Sequence, residues 1–125
     1  MEDIMHIKYL KHRKKIELKN LRNFYEESSI EYNGNRYQFD SKSQQRLYAA
    51  QEQFNSTTNT FISNNTIFWT TENNEEVEIT KEDINNIISL GNKRILEVHQ
   101  KYKEAKEKLE QADTEIKINE IDIKF

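Results

Sequence analysis

A chain of 125 residues is expected to form one domain with one modest core, and its lack of cysteine excludes disulfide bonds and thiolate chemistry. Hydrophobic residues make up 34% of the chain and charged residues 33%, which favours elongated helices over a large globule. No apolar run approaches a signal peptide or a membrane span in length, so we expect a soluble protein without a membrane partner.

The net charge of −3 is unevenly distributed along the chain. Residues 1–25 carry seven Lys or Arg against three acidic residues, a charge of +4 that leaves −7 for the remainder. Strong helix formers without a breaker predict a basic helix over residues 1–28. We expect its cations to neutralise acidic surface on this chain or a neighbouring one, with phosphate binding as the alternative. The interface cations predicted on this basis are Lys11, Arg13, Lys14 and Lys15.

The first β-hairpin is predicted around Asn33-Gly34, because this pair supplies the positive φ angles of a two-residue type I′ turn. The register fixed by that turn places four apolar residues on one face. These residues are Ile30, Tyr32, Tyr37 and Phe39.

A helix is predicted after this hairpin, because Ser41 and Gln44 have the spacing of a capping box. Its apolar side contains Leu47, Ala50, Phe54 and Phe61.

A second hairpin is predicted from Thr66 to Ile79, and its apolar pattern determines the loop length. An odd loop, most simply Glu72-Asn73-Asn74, is required because an even one would place Trp69 opposite Glu78. We therefore expect Trp69 to be substantially buried between sheet and helix. The residues predicted to share its face are Ile67, Val77 and Ile79.

The longest helix is predicted to begin at Thr80, whose side chain caps it with Asp83 at the third helical position. Ile79 and Ile84 flank that cap as a hydrophobic staple.

From this cap to Ile116, apolar residues recur in alternating steps of four and three, which is a heptad repeat. At ~1.5 Å per residue the seam is on the order of 50 Å long, whereas a compact globule of this size is roughly 35–40 Å across. The N-terminal helix competes as a cover, but residues 11–15 interrupt its apolar stripe, so we expect residues 102–116 to stay incompletely buried. The seam is therefore predicted to be an oligomer or partner interface. Its large residues are Ile88, Ile95, Tyr102, Leu109 and Ile116, and small ones such as Gly91, Ala105 and Ala112 alternate with them.

These elements predict an α+β fold that is mostly helical, with two β-hairpins each followed by a helix. A long coiled-coil-like helix follows the second hairpin, and the basic helix precedes the first. We expect a single domain over residues 1–125, divided into the basic helix (1–28), two ββα units (29–116) and a C-terminal tail (117–125). The tail alternates like a strand, yet the preceding helix could also continue into it, and both readings stay open.

Signals of catalysis, cofactor binding or metal binding are weak throughout the sequence. The histidines, His6, His12 and His99, form no i, i+4 pair, and no glycine-rich phosphate loop or nucleophile elbow occurs. We therefore expect no catalytic, cofactor-binding or metal-binding residues, and no enzymatic activity.

The order of landmarks over about residues 20–116 resembles a small domain of unknown function common in phage tail-fibre and tail-accessory proteins. The residues that carry this resemblance are 32–41 (YNGNRYQFDS), 43–46 (SQQR), Trp69, 72–75 (ENNE), 77–80 (VEIT) and His99.

The resemblance implies a non-enzymatic, tail-associated role as a virion component or tail-fibre accessory. Its implied partners are phage tail or tail-fibre proteins and further copies of this chain, in the virion tail or in the host cytoplasm during assembly. It also implies a structural role for Arg46, which would bond strand carbonyls or pair with Asp40. The alternative is a small phage protein that binds nucleic acid or a host component through its basic helix.

Overall fold

The structure is a computed structural model that describes residues 3–56 and 65–125. It confirms the α+β class, with two antiparallel hairpins, an N-terminal helix and a long helix near the C-terminus. In chain order the elements are α1 (Ile4–Glu26), β1 (Ile30–Tyr32), β2 (Asn35–Tyr37), α2 (Ser41–Asn55), β3 (Thr66–Thr70), β4 (Glu76–Thr80), α3 (Lys81–Gln111) and α4 (Glu115–Asn119). Phe61, predicted on the apolar side of α2, lies outside the described residues.

The chain divides into two compact units. The hairpin unit contains residues 26–94, with both hairpins, α2 and the first part of α3. The helical unit contains residues up to Tyr25 together with Ile95–Phe125, and so combines most of α1 with the rest of α3 and α4.

The first hairpin has the predicted register, since Ile30 pairs with Tyr37 and Tyr32 pairs with Asn35. Asn33 and Gly34 have φ angles of 50° and 79°, which are the positive values that a type I′ turn requires. The hairpin thereby directs buried Ile30 and Tyr37 to the same face.

The second hairpin confirms the predicted odd loop, because Trp69 pairs with Val77. The Thr71 amide donates to the Glu75 carbonyl at 2.8 Å, so the closed turn contains Glu72, Asn73 and Asn74. Asn74 has a φ of 64°, the left-handed conformation that ends a three-residue hairpin loop.

Trp69 is partly buried, with most of its surface removed from solvent as its register predicts, although it is not fully enclosed. Its register is right, but its neighbours on that face, Ile67 and Val77, are also half-buried, and only Ile79 is fully enclosed. The buried hydrophobic residues of this unit come mainly from the first hairpin and the helices. They are Ile30, Tyr37, Phe39, Leu47, Ile79, Ile84, Ile87 and Ile88.

Helix α2 is capped by Asp40, not by the predicted Ser41. The Asp40 carboxylate accepts the Ser43 amide at 2.8 Å, which satisfies one of the free N–H groups of the first turn. The Gln44 side chain donates to the Phe39 carbonyl at 2.8 Å instead of closing a capping box. Aspartate at the preceding position is an equally good cap, and it therefore moves the helix start by one residue.

The start of α3 is as predicted. The Thr80 amide donates to the Asp83 carboxylate at 2.8 Å, and the Asp83 amide donates to the Thr80 hydroxyl at 3.1 Å. Ile79 and Ile84 on either side of this cap are both buried, as a hydrophobic staple requires. Tyr32 donates to the other Asp83 oxygen at 2.8 Å, so the cap also connects the first hairpin to α3.

Helix α3 ends at Gln111, which corrects the expectation of one continuous helix to Ile116. The Thr114 side chain accepts the Lys117 amide at 3.2 Å and starts the separate helix α4. A threonine that bonds the backbone locally in this way favours a new helix start over continuation of the old one. Ile116 therefore belongs to α4. Residues after α4 form no strand.

The core of the helical unit lies where α1 packs antiparallel to the C-terminal part of α3. Lys11, in the first half of α1, donates to the Glu110 carbonyl near the end of α3 at 3.2 Å. Arg22, near the end of α1, has its guanidinium 4.7 Å from the ring centroid of Tyr102, which lies earlier in α3. The chain after α4 folds back into the same core, with the Phe125 ring 4.8 Å from the Tyr25 ring. The buried residues of this core are Leu18, Ala105, Leu109, Ala112, Ile118, Ile121 and Ile123.

Candidate interaction surface

Helix α1 has two apolar faces. The inner face packs through Leu10, Leu18 and Leu21 against the core of the helical unit. A second set of large apolar residues is exposed, and their spacings of four, seven and eight residues place them together on about the opposite side of the helix. We define the outer face of α1 by Met5, Tyr9, Arg13, Ile16, Asn20 and Phe24.

Ile16 is 51% exposed and forms the crest between two grooves on the helical unit. The apolar groove, of about 850 Å³, lies between α1 and α4 and is lined by Ile16, Leu21, Phe24 and Ile118, among others. Phe24 is 67% exposed at its edge. The groove is open to solvent, also borders the polar residues Arg13, Glu17 and Asn20, and has room for an apolar partner side chain.

The basic groove, of about 340 Å³, lies on the other side of Ile16 between α1 and α3. Lys15 and Lys19 of α1 and Lys106 of α3 line it, together with His12. The carboxylate residue among its lining residues is Glu110. This groove therefore provides positive charge beside an exposed apolar crest.

The four predicted interface cations divide into two internal and two exposed side chains. Lys14 is buried, donates to the Ile121 carbonyl at 3.2 Å and pairs with Glu17 at 3.0 Å. Lys11 is half-buried and bonds the backbone of α3 as described above. Arg13 and Lys15 are exposed. Only Arg13 and Lys15 thus have their charges accessible to a partner.

Lys14 also explains why α1 covers more of α3 than its sequence predicts. Its aliphatic stem occupies a core-facing position while its ammonium reaches carbonyl and carboxylate oxygens, so the inner apolar stripe is not interrupted there. The expectation that residues 102–116 stay incompletely buried is wrong at Leu109, which is 1% exposed.

The predicted seam residues have unequal accessibility. Ile88 and Leu109 are buried within the chain, Ile95 and Tyr102 are half-buried, and Ile116 is exposed on α4. An interface along this seam stays a prediction. Among the described residues, four exposed large apolar side chains share the outer face of α1, namely Met5, Tyr9, Ile16 and Phe24.

Arg46, predicted to be structural, is exposed on α2. It lines a depression of about 410 Å³ with Phe68, Trp69 and Thr70 of β3. Hydrogen bonds from Ser43 lower the pKa of the Asp40 carboxyl, and the Arg46 charge lowers it further. The pairing of Arg46 with Asp40 stays a prediction, and the Phe39 carbonyl, which follows β2, accepts from the Gln44 side chain.

Three carboxyl groups, those of Asp40, Asp83 and Asp113, have lowered pKa values. The Thr80 amide lowers the pKa of the Asp83 carboxyl, and the Tyr32 hydroxyl contributes in the same direction. The Lys117 ammonium, 2.9 Å from Asp113, likewise lowers the pKa of that carboxyl. Within residues 3–56 and 65–125, no group of three His, Asp or Glu is arranged to hold a metal ion. A search of the same residues finds no helix able to span a membrane.

The outer face of α1 was missed by the sequence analysis. Its signal is present as a second helical period at Met5, Tyr9, Ile16 and Phe24, but the apolar residues of α1 were assigned to a single face. Counting apolar residues on both sides of the helix would have found it.

The family model described as a domain of unknown function (DUF4376) matches residues 9–124, which is nearly the whole chain. Comparison with curated proteins and with solved structures finds no match.

Proposed function

The chain belongs to the DUF4376 family of unknown function, and from that premise we propose that it is a phage tail-associated structural or assembly protein acting through protein–protein contacts. Its partners are phage tail or tail-fibre proteins and further copies of the chain. It works in the virion tail, or in the host cytoplasm during assembly, and it is not an enzyme. The resemblance to domains of tail-fibre and tail-accessory proteins supports the tail assignment.

The observation that carries the proposal is the outer face of α1. Ile16 and Phe24 expose apolar surface, whereas the core of the same unit is formed by other residues, among them the fully buried Leu18. Contiguous exposed apolar surface with a polar rim is typical of protein–protein interaction sites. Covering it stabilises a complex by about 25 cal/mol per Å² of apolar area before the costs of association.

The composition of this face resembles the anatomy of a protein interface. Met5, Tyr9, Ile16 and Phe24 alternate on it with Arg13 and Asn20, and Lys15 and Lys19 line the basic groove beside Ile16. Interfaces place apolar anchors centrally and charges at the rim, where the charges favour one partner over others. We therefore expect a partner surface that is apolar and acidic.

The proposal is tested by the composition of phage particles. The gene should lie beside tail-fibre or baseplate genes, and quantitative mass spectrometry of gradient-purified particles or tail intermediates should detect the chain in a fixed ratio to tail proteins. Adjacent replication genes, together with absence of the chain from both particles and intermediates, would contradict the tail assignment.

Nucleic-acid binding is the second candidate, because Lys15, Lys19 and Lys106 line one groove. Clustered cations bind phosphates with an affinity that falls steeply with salt. Against it, Lys11 and Lys14 bond the chain's own backbone, and the whole chain carries a charge of −3. Fluorescence anisotropy with labelled DNA at 50 and 200 mM salt distinguishes the candidates, since tight, salt-sensitive binding supports only the second.

A further inference from the structure

We propose that the outer face of α1 binds the β3–β4 hairpin of a second copy of this chain, so that copies associate head to tail. This inference rests on the proposed assembly function and identifies one of its contacts. It follows from two exposed surfaces whose apolar and charged groups are complementary.

The β3–β4 hairpin has an exposed face that combines one aromatic ring with carboxylates. Phe68 is 68% exposed and pairs directly with Glu78, and Thr70 pairs with Glu76 on the same face. Both glutamates are exposed. Arg46 lies beside Phe68 and Thr70, so one cation accompanies the two carboxylates. The hairpin therefore presents an apolar knob with acidic neighbours.

The helical unit presents the opposite combination. The apolar groove beside Ile16 has about 850 Å³ of space, which is more than enough for one phenyl ring. On the other side of Ile16, Lys15, Lys19 and Lys106 line the basic groove. A Phe68 ring placed in the apolar groove brings the hairpin carboxylates toward these cations.

The charges of the two units favour this pairing over contact between two α1 helices. The helical unit contains 13 Lys or Arg and 11 Asp or Glu, a charge of +2, whereas the hairpin unit contains 6 and 11, a charge of −5. Two outer faces of α1 would bring their like charges together, which is unfavourable. Opposite potentials attract the two different surfaces and suppress the symmetric alternative.

A contact between two different surfaces of identical chains is heterologous, so it forms a ring if the rotation closes and an open chain of copies if it does not. We expect association in the micromolar range, as is common for weak, transient protein contacts. Because charges surround the contact, association should weaken as salt screens them.

The experiment exchanges the charges of the two surfaces. One variant carries Lys15→Glu and Lys19→Glu on α1, and the other carries Glu76→Lys and Glu78→Lys on β4. A control, Lys42→Glu with Lys93→Glu, makes the same charge change as the first variant at exposed sites elsewhere. Molar mass is measured by light scattering across micromolar concentrations, and circular dichroism checks that each variant is folded.

We expect the wild type and the control to associate, each exchange variant to raise the dissociation constant at least about tenfold, and the equimolar mixture of both variants to recover association. Recovery is expected because the acidic α1 of the first variant can bind the basic hairpin of the second. The unchanged basic α1 of the second variant can likewise bind the unchanged acidic hairpin of the first. A monomeric wild type, undiminished association of either variant, or a mixture of folded variants that stays monomeric would overturn the inference. A monomeric wild type that is nevertheless present in phage particles would reject self-association while leaving the proposed tail function standing.

Discussion

Gly91 shows how a single missing side chain allows the hairpin unit to pack. It is buried on α3, and the Phe39 ring lies where a Cβ atom of residue 91 would project. The heptad repeat placed this small residue on a predicted oligomer or partner interface, but the group that approaches it is an aromatic ring of the same unit. The glycine is therefore required by internal packing.

Replacing Gly91 with Ala should lower the free energy of unfolding by ~1–3 kcal/mol, because the new methyl group overlaps the Phe39 ring. Helix propensity alone predicts the opposite sign, since Ala in a helix interior is about 1 kcal/mol more favourable than Gly. Urea unfolding measures the difference, and Ser89→Ala, at an exposed position of the same helix, serves as the control. A more stable Gly91→Ala variant would show that the ring moves aside at little cost.

Asp83 should make the stability of the protein dependent on acid pH. Its bonds to the Thr80 amide and the Tyr32 hydroxyl lower its pKa in the folded state. The stabilisation is therefore complete above the unfolded-state value near 3.9 and is lost as the pH falls through the folded value.

Replacement of Asp83 with Asn should cost about 1 kcal/mol at pH 7, the usual worth of a helix cap. The difference from wild type should shrink as the pH is lowered below about 4. Urea unfolding at pH 7, 5 and 3 checks this, with Asp122→Asn at an exposed position as the control. A constant difference at all three pH values would mean that the carboxylate charge has no part in the cap.

The two sides of helix α1 differ in burial: one side packs into the core and the other is exposed. Leu18 on the inner side is fully buried, and Ile16, only two residues away, is half exposed on the outer side. Lys14 completes the inner side by placing its ammonium on the Ile121 carbonyl and beside the Glu17 carboxylate. The inner side stabilises the helical unit, and the outer side is available to partners.

This division predicts that substitution by Ala destabilises the protein strongly at one position of α1 and only weakly at another position nearby. Leu18→Ala should lower the free energy of unfolding by ~2–5 kcal/mol, because it leaves a cavity in the core. Ile16→Ala, made in the same helix, should change it by less than about 1 kcal/mol, because half of that side chain is already in water. Thermal or urea unfolding of both variants measures the contrast. Equal losses would mean that both sides of α1 are part of the core.

The elements that local chemistry determines could be predicted from the sequence. Asn33-Gly34 and the alternation around Trp69 gave both hairpin registers, and Thr80 with Asp83 gave the start of α3. Burial was less predictable, because Trp69 has the right pairing yet only half-buried neighbours.

The surface of α1 was the least predictable part, for physical reasons. Lys14 was predicted to interrupt the apolar stripe of α1, but it is buried, because its aliphatic stem packs in the core while its ammonium reaches oxygen atoms. Helix α3 does not continue to Ile116, because Thr114 bonds the backbone locally and caps a new helix. The apolar heptad pattern runs past this point without a break, so the periodicity did not reveal the end of α3. The interface was therefore predicted on the α3 seam, whose residues Ile88 and Leu109 are packed inside the chain.

At the scale of the whole molecule, family membership and the exposed surface of α1 together support the proposed assembly function. The family model covers residues 9–124, and within the described residues the outer face of α1 combines exposed apolar side chains with adjacent cations. The proposed tail-associated function requires such a surface, so we expect its removal to abolish assembly while sparing the fold. The substitutions Ile16→Asp and Phe24→Asp remove it, and Leu96→Asp, at a 71% exposed position on α3, is the matched control.

The most direct measurement is the amount of this chain in gradient-purified phage particles that carry the wild type, the Ile16→Asp and Phe24→Asp double variant, or Leu96→Asp. Each protein is first shown by circular dichroism to be folded. We predict equal amounts for the wild type and Leu96→Asp, and a decrease of at least about tenfold for the double variant. Particles that contain the folded double variant at the wild-type level would contradict the account, as would absence of the chain from particles and tail intermediates alike.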